Sequence, residues 1–313
     1  MVCPLIRSPI PILHRCNDYL VVDKPCDLTI NSDDPNEVTL ATILASQVPE
    51  LVDHSVAHQF RFVHRLDYAT SGCLLLALNS DAARRCFFAF KPNEVAKSLK
   101  PAPFIRKYYL ALLKGHLDKS NKDRGIIKID GYIGQDKRTP QAIERRQMVA
   151  LSKDELCNDP TASTWCVKPK PASASLLVLE HGRYKPERKD GCSDGTINEY
   201  PATKVLIRLL TGRRHQIRAQ CLRIGYPVIG DYTYGGDGRV GDPNSTPGME
   251  ETPRMYLHAW RLRVSMPGKV LRDGNRLLDV TTEDPFTEER TDGRWKSDDV
   301  IMLLDYDALG VLE

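Results

Sequence analysis

The chain has no apolar run long enough to span a bilayer, no CxxC pair, and no glycine spacing of the GxGxxG or P-loop kind. The first absence excludes a helical membrane protein. The second removes zinc ribbons, and the third removes the common nucleotide-binding loops. An excess of one charge is missing too: 44 Lys+Arg stand against 41 Asp+Glu, a net +3. That balance does not by itself point to nucleic acid, although a basic stripe can exist if the charges segregate in space. The N-terminal MVCPLIRSPIPIL has too short an apolar run for a signal peptide and too little arginine for a transit sequence. No repeat of fixed period occurs.

The nine cysteines are odd in number and irregularly spaced. They read as free thiols in a reducing compartment, with Cys73, Cys86 and Cys221 as core filler. This predicts an intracellular protein and leaves cytoplasm, nucleus and mitochondrion open. The 313 residues, 41% hydrophobic and 27% charged, are enough for a sizeable core in one large domain or two ordinary ones.

Arg61–Leu78, RFVHRLDYATSGCLLLAL, is the most informative stretch. A polar cluster of His64, Arg65, Asp67, Tyr68, Thr70 and Ser71 runs into Gly72 and the apolar Cys73–Leu78. The pattern predicts a polar loop at the edge of a core, opening into a buried strand. Scaffolds hold catalytic groups on such loops.

Elsewhere, strands are expected at Tyr19–Asp23, Lys107–His116, Leu176–Glu180 and Thr203–Leu210, with a final core strand at Met255–Val264. Short strands are expected around Ile126–Ile133. Helices are expected after Thr39, with Pro49 closing the first, and over Asp81–Lys91 after Asn79 or Ser80. Thr211–Gly225 reads as a helix capped by Thr211 and stopped by Gly225, with Arg214 and Arg218 sharing a face. Leu151–Ala174, with its prolines, reads as a long surface loop, and Lys185–Tyr200 as a loop or insertion. Gly236–Thr252 reads as a mobile segment, and the tail as one more helix around Asp298–Leu304. Several strands, few helices and polar connections give an α+β class with a mostly antiparallel or mixed sheet, flanking helices and long loops. His54 and His58 are four apart, a metal-holding spacing on a helix face, but no third ligand follows nearby and no metal is expected.

Five blocks together resemble the RluA-type pseudouridine synthases: DYLVVDKPCDLTI (18–30), HRLDYATSGCLLLAL (64–78), KYYLALLKG (107–115), LTGRRHQIR…GYPVIGDYTYG (210–235) and YLHAWRL (256–262). They occur in the family's order. LLVLEHGRY (176–184) is similar to the animal RNA pseudouridylate synthase domain-containing proteins.

The resemblance implies a pseudouridine synthase fold in a catalytic domain over residues 12–290. An extension, 1–11, precedes it, a tail, 291–313, follows, and there is no S4 domain. It implies a monomer that isomerises uridine to pseudouridine in transfer, ribosomal or messenger RNA, without cofactor. The obligatory aspartate falls on Asp67, either as nucleophile at the sugar or as proton acceptor. Arg218 matches the cation paired with it, Tyr109 the ring that stacks on the target base, and Leu257 an apolar pocket residue. Arg65 matches the residue that fills the space of the flipped-out base. A base inside a stack cannot be reached without flipping, which costs roughly a few kcal/mol, and a planar guanidinium can occupy the vacated place. The chain departs from the family pattern at Arg214, usually threonine, and at Gln220, usually histidine. A catalytically silent RNA-binding protein of the same fold is the main alternative. A nucleoside glycosidase is disfavoured because glycoside hydrolysis ordinarily needs two carboxylates.

Overall fold

The computed structural model describes residues 9–90, 104–118, 125–186, 199–235, 254–265 and 277–312. In chain order the strands are β1 (Ile12–Arg15), β2 (Tyr19–Lys24), β3 (Arg61–Phe62), β4 (Ser71–Ala77), β5 (Phe104–Lys114), β6 (Ile126–Asp136), β7 (Met148–Leu151), β8 (Cys166–Tyr184), β9 (Tyr200–Leu209), β10 (Leu257–Ser265), β11 (Leu277–Thr281) and β12 (Trp295–Val300). The helices are α1 (Leu40–Gln47), α2 (Ser80–Phe90), α3 (Pro140–Glu144), α4 (Lys153–Asn158), α5 (Ala162–Trp165), α6 (Gln216–Arg223) and α7 (Tyr306–Leu312). The class is α+β, as expected. No described helix is long and apolar enough to cross a membrane.

The chain divides into two compact units, one within Met1–Lys107 and His258–Glu283, the other within Tyr108–Leu257 and Asp284–Glu313. In the first, the strand order is β1-β2-β4-β10, with β11 on β10 and β3 on β4. The β2–β4 pair is antiparallel, Tyr19 opposite Ala77 and Lys24 opposite Gly72. The β4–β10 pair is parallel. All seven residues of β4 are buried, which is why its sequence is a continuous apolar run without alternation. Tyr19, Val21, Cys73, Leu75 and Ala77 pack with Ala82 and Cys86 of α2 and with Leu262, Val264, Leu278 and Val280. Each fully buried leucine here contributes about 2 kcal/mol. Two capping signals in this unit work as the sequence predicts. Thr39 accepts from the Thr42 amide to start α1, and Asn79 accepts from the Ala82 amide at 2.8 Å to start α2.

The second unit is ordered β5-β9-β8-β6-β7, with β12 on β8. Here several expectations change. The segment expected as a surface loop, Leu151–Ala174, holds α4, α5 and the start of β8. The strand expected at Leu176–Glu180 is the middle of a 19-residue β8. Its prolines are tolerated because β9 pairs with β8 only from Ala174 onward. Before that point β8 pairs on one side, with β6, so Pro169 and Pro171 fall on an edge. The short strands around Ile126–Ile133 are one strand of 11 residues, β6. Met255–Val264 is represented by β10 but is not the last strand. The tail helix expected at Asp298–Leu304 is replaced by β12, drawn into the sheet opposite Glu180–Tyr184, and the helix comes later, as α7. Long-range pairing overrode local propensity in each case. The expectations for Gly236–Thr252 and for most of Lys185–Tyr200 lie outside the described residues. So do Cys3 and Cys192; the other seven cysteines are free, with Cys73, Cys86 and Cys221 buried.

Candidate active site

Asp67 and Arg65 lie in the first unit, on the loop between β3 and β4. Arg65 is exposed, Leu66 is buried and anchors the loop, and Asp67 is half-buried. The backbone turns at once, with the Thr70 amide donating to the Asp67 carbonyl at 3.1 Å. Lys24, which ends β2, fixes the turn that follows Asp67. Its ammonium donates to the carbonyls of Pro25 (2.8 Å), Tyr68 (3.0 Å) and Thr70 (3.0 Å), and the residue is 0% exposed. A buried ammonium is tolerated only where its donors are met in this way. From sequence alone Lys24 reads as a strand terminator. The signal for its second role is a lysine continuing an apolar strand straight into a proline.

A second support runs beneath the same loop. Thr282 donates its hydroxyl to the Trp260 carbonyl (3.2 Å), so its oxygen accepts from His258 Nε2 (2.5 Å). His258 Nδ1 then accepts from the Ser71 hydroxyl (2.7 Å). All three side chains are buried. Gly72, at φ +111°, lies so close to β10 that a Cβ would sit 2.3 Å from the Ala259 carbonyl oxygen. Only glycine permits that approach. His64 is scaffolding: its Nε2 accepts from the Leu75 amide at 3.0 Å, and its ring packs 5.6 Å from Phe90. Burial, reinforced by the Lys107 charge, pushes its pKa down to about 3, so the imidazole is neutral. Burial also pushes Lys107 down to about 8, with its ammonium 5.6 Å from the Phe90 ring.

Tyr109, Arg218 and Leu257 belong to the second unit. Within the buried run Tyr108–Leu113 of β5, Tyr109 alone keeps measurable exposure, 7% against 0% for the others. Leu257 opens β10 and is buried.

Arg218 lies on α6, which is shorter than its sequence suggests. His215, at φ 50°, sits at the N-cap, and the helix begins at Gln216. Thr211 does not cap. Its hydroxyl accepts from the Ser173 amide (2.9 Å) and donates to the Gln216 side chain (2.8 Å), so it is diverted to β8. Arg214 is therefore outside the helix and exposed, and it does not share a helical face with the buried Arg218. The helix ends as expected. Gly225, at φ 85°, donates to Leu222, and Tyr226 donates to Cys221, both closing the last turn.

Arg218 forms a fork with Asp231, Nε to Oδ2 at 2.6 Å and Nη2 to Oδ1 at 2.8 Å, and both residues are buried. Its guanidinium lies 4.9 Å from the Tyr234 ring centre. Asp231 Oδ1 also accepts from the Thr233 and Tyr234 amides. Tyr234 accepts from the Met148 amide (2.8 Å) and donates to His215 Nδ1 (3.0 Å). A guanidinium has five N–H donors, and this fork uses two of them. From sequence alone Asp231 reads as a turn residue. Its role as the holder of Arg218 is visible only when the two residues, 13 apart in sequence, are brought together.

The His54/His58 spacing does not fall on a helix. His58 lies in a 3₁₀ turn at φ 56°, and His54 precedes it. Among the described residues no three ligating side chains gather. A cleft of about 830 Å³, lined by His14, Arg15, Cys16, Asp53 and His54 among others, also includes Leu78 at the far end of β4 from the Asp67 loop, and it holds none of the expected site residues.

The sequence model of the RNA pseudouridylate synthase family matches residues 18–223. The RNA pseudouridylate synthase domain-containing protein 1 of Homo sapiens is 34% identical over 296 residues, covering 94% of this chain and 76% of the human protein. Ribosomal large subunit pseudouridine synthase D of Nitrosomonas europaea is 28% identical over 267 residues, 84% of this chain and 60% of that protein. The solved structure of the human domain-containing protein 1 superimposes with a TM-score of 0.69 at 31% identity, covering 99% of this chain and 97% of that one.

Proposed function

The chain belongs to the RNA pseudouridylate synthase family, and from that premise we propose that it is an isomerase converting uridine to pseudouridine in RNA. The observation that carries the reading is the Asp67 carboxylate on a loop whose next turn, Tyr68 to Thr70, is held by the buried Lys24. Preorganisation of this kind is what a single catalytic acid requires, since holding reactants in geometry lowers the barrier.

In the reaction the N1–C1′ bond breaks, the base turns and a C5–C1′ bond forms. The C5 proton leaves and N1 takes one up, so atoms balance and no cofactor enters. Asp67 acts on the sugar or accepts the proton. The exposed Arg65, two residues before it, occupies the place of the extruded nucleotide. Tyr109 stacks on the base, Leu257 closes the pocket, and Arg218, oriented by Asp231, pairs with the Asp67 carboxylate. The RNA is transfer, ribosomal or messenger.

The test is to incubate cellular RNA with the protein and with Asp67→Asn, then map pseudouridine at single-nucleotide resolution. New sites with the wild type and none with the variant are expected. Equal levels in both would leave an RNA-binding protein of the same fold. Free uracil in place of pseudouridine would point to a glycosidase.

A further inference from the structure

Cations gather at one end of the β7-β6-β8 ladder. Lys137 and Arg138 directly follow β6, Arg145 and Arg146 stand just before β7, and Lys168 and Lys170 lie at the start of β8. The antiparallel registers set Gln135 opposite both Met148 and Val167, so these three stretches share one end of the ladder. Adjacent strands are about 5 Å apart. That is inside the screening length of about 8 Å at physiological salt, so the charges reinforce one another. The acidic groups at this end are few. Asp136 is taken up by Arg138, whose guanidinium also lies 4.6 Å from the Trp165 ring centre, Asp159 beside the Trp165 side chain accepts from the Thr161 amide and hydroxyl, and Glu144 is on α3. Among the described residues, Lys137, Arg145, Arg146, Lys168 and Lys170 make no ion pair, and the last four are exposed. Arg213 lies alongside, its Nε donating to the Pro171 carbonyl at 2.8 Å. Two of these cations also sit on left-handed backbone, Arg146 at φ 49° and Lys168 at φ 52°. Such strain persists where the surroundings or the function hold it.

We propose that this end of the ladder grips the phosphate backbone of the RNA substrate, apart from the residues that act on the uridine. The inference rests on the reading of the chain as an RNA-modifying enzyme. The cations lie on strand ends and turns, not along one face of an amphipathic helix with an apolar side to insert, which favours RNA over an anionic membrane. Each phosphate neutralised releases counterions, so the surface carries a measurable salt dependence.

The test uses the full chain and a labelled oligouridylate, with affinity measured by anisotropy across salt concentrations. The triple variant Lys137→Gln, Arg145→Gln, Lys170→Gln changes no residue at positive φ and none of the proposed catalytic set. Its slope of log affinity against log salt should be shallower by about 2, at about 0.7 for each single-strand phosphate that is no longer neutralised. Its affinity at physiological salt should fall at least about tenfold. A control triple, Arg84→Gln, Lys185→Gln, Lys296→Gln, removes the same charge elsewhere and should stay within about twofold of wild type. Unchanged melting of both triples excludes misfolding. Equal loss in both, or none in the first, overturns the proposal. So does a triple that keeps oligouridylate binding while losing binding to phosphatidylserine vesicles. The readout is binding, so a protein that uses this surface yet forms no pseudouridine would defeat the functional reading and leave the surface standing.

Discussion

At the scale of single residues, the candidate site is held by two charged side chains, Lys24 bonded to the Tyr68 and Thr70 carbonyls and Asp231 forked to Arg218. Arg65 and Asp67 are conspicuous because they crowd a polar loop ahead of an apolar strand. Lys24 and Asp231 are not, because each acquires its meaning from a partner elsewhere in the chain: the Tyr68 and Thr70 carbonyls for Lys24, Arg218 for Asp231. His64 is a third case. In sequence it is one of the polar cluster ahead of β4, and its scaffolding contacts with Leu75 and Phe90 have a titration consequence. Its folded pKa is about 3, while an unfolded histidine titrates near about 6.5. Between these values the unfolded chain takes a proton that the folded one refuses. Its contribution is therefore fully present above about pH 6.5 and is lost as pH falls toward about 3, with a limiting slope of about 1.4 kcal/mol per pH unit. His64→Gln can still accept from the Leu75 amide and does not titrate. Between pH 6 and pH 4, wild type should lose about 2 kcal/mol more than the variant in denaturant unfolding. Parallel pH profiles for the two proteins would show that His64 is not held neutral.

At the scale of elements, what was legible was what local chemistry decides. The caps at Thr39 and Asn79, the glycine stop at Gly225 and the buried run of β4 all use signals within a few residues. What was illegible depends on distant strands. β8 is extended through a proline-containing stretch because β6 is there to pair with it, and β12 is a strand because it meets Glu180–Tyr184. The α6 N-terminus departs from its local signals for a similar reason, since Ser173 of β8 claims the Thr211 hydroxyl. The junction of loop and strand at Gly72 shows how narrow the tolerance is. A methyl group there meets the Ala259 backbone at 2.3 Å, where no side chain can give way, and φ is +111°. Gly72→Ala should destabilise the protein by about 3 kcal/mol or more, from strain and overpacking together. A melting temperature within a degree or two of wild type would show that β4 and β10 are not so tightly apposed.

At the scale of the whole molecule, the net charge of +3 conceals how the charge is distributed. Lys137, Arg145, Arg146, Lys168 and Lys170 already exceed that total, so the rest of the chain is acidic on balance. Composition could not reveal this, because the clustering is made by antiparallel registers that set Gln135 opposite both Met148 and Val167. It sets a quantitative expectation for the wild-type chain. If RNA met only the averaged charge, at most about three phosphates would be neutralised, and the slope of log affinity against log salt would be no steeper than about −2. A cluster of five, joined by Arg213, should give a slope of about −3 to −4 on single-stranded RNA. Isothermal titration of oligouridylate from low to physiological salt measures it. A slope shallower than about −1 would mean that the charges, though close together, do not meet the phosphates.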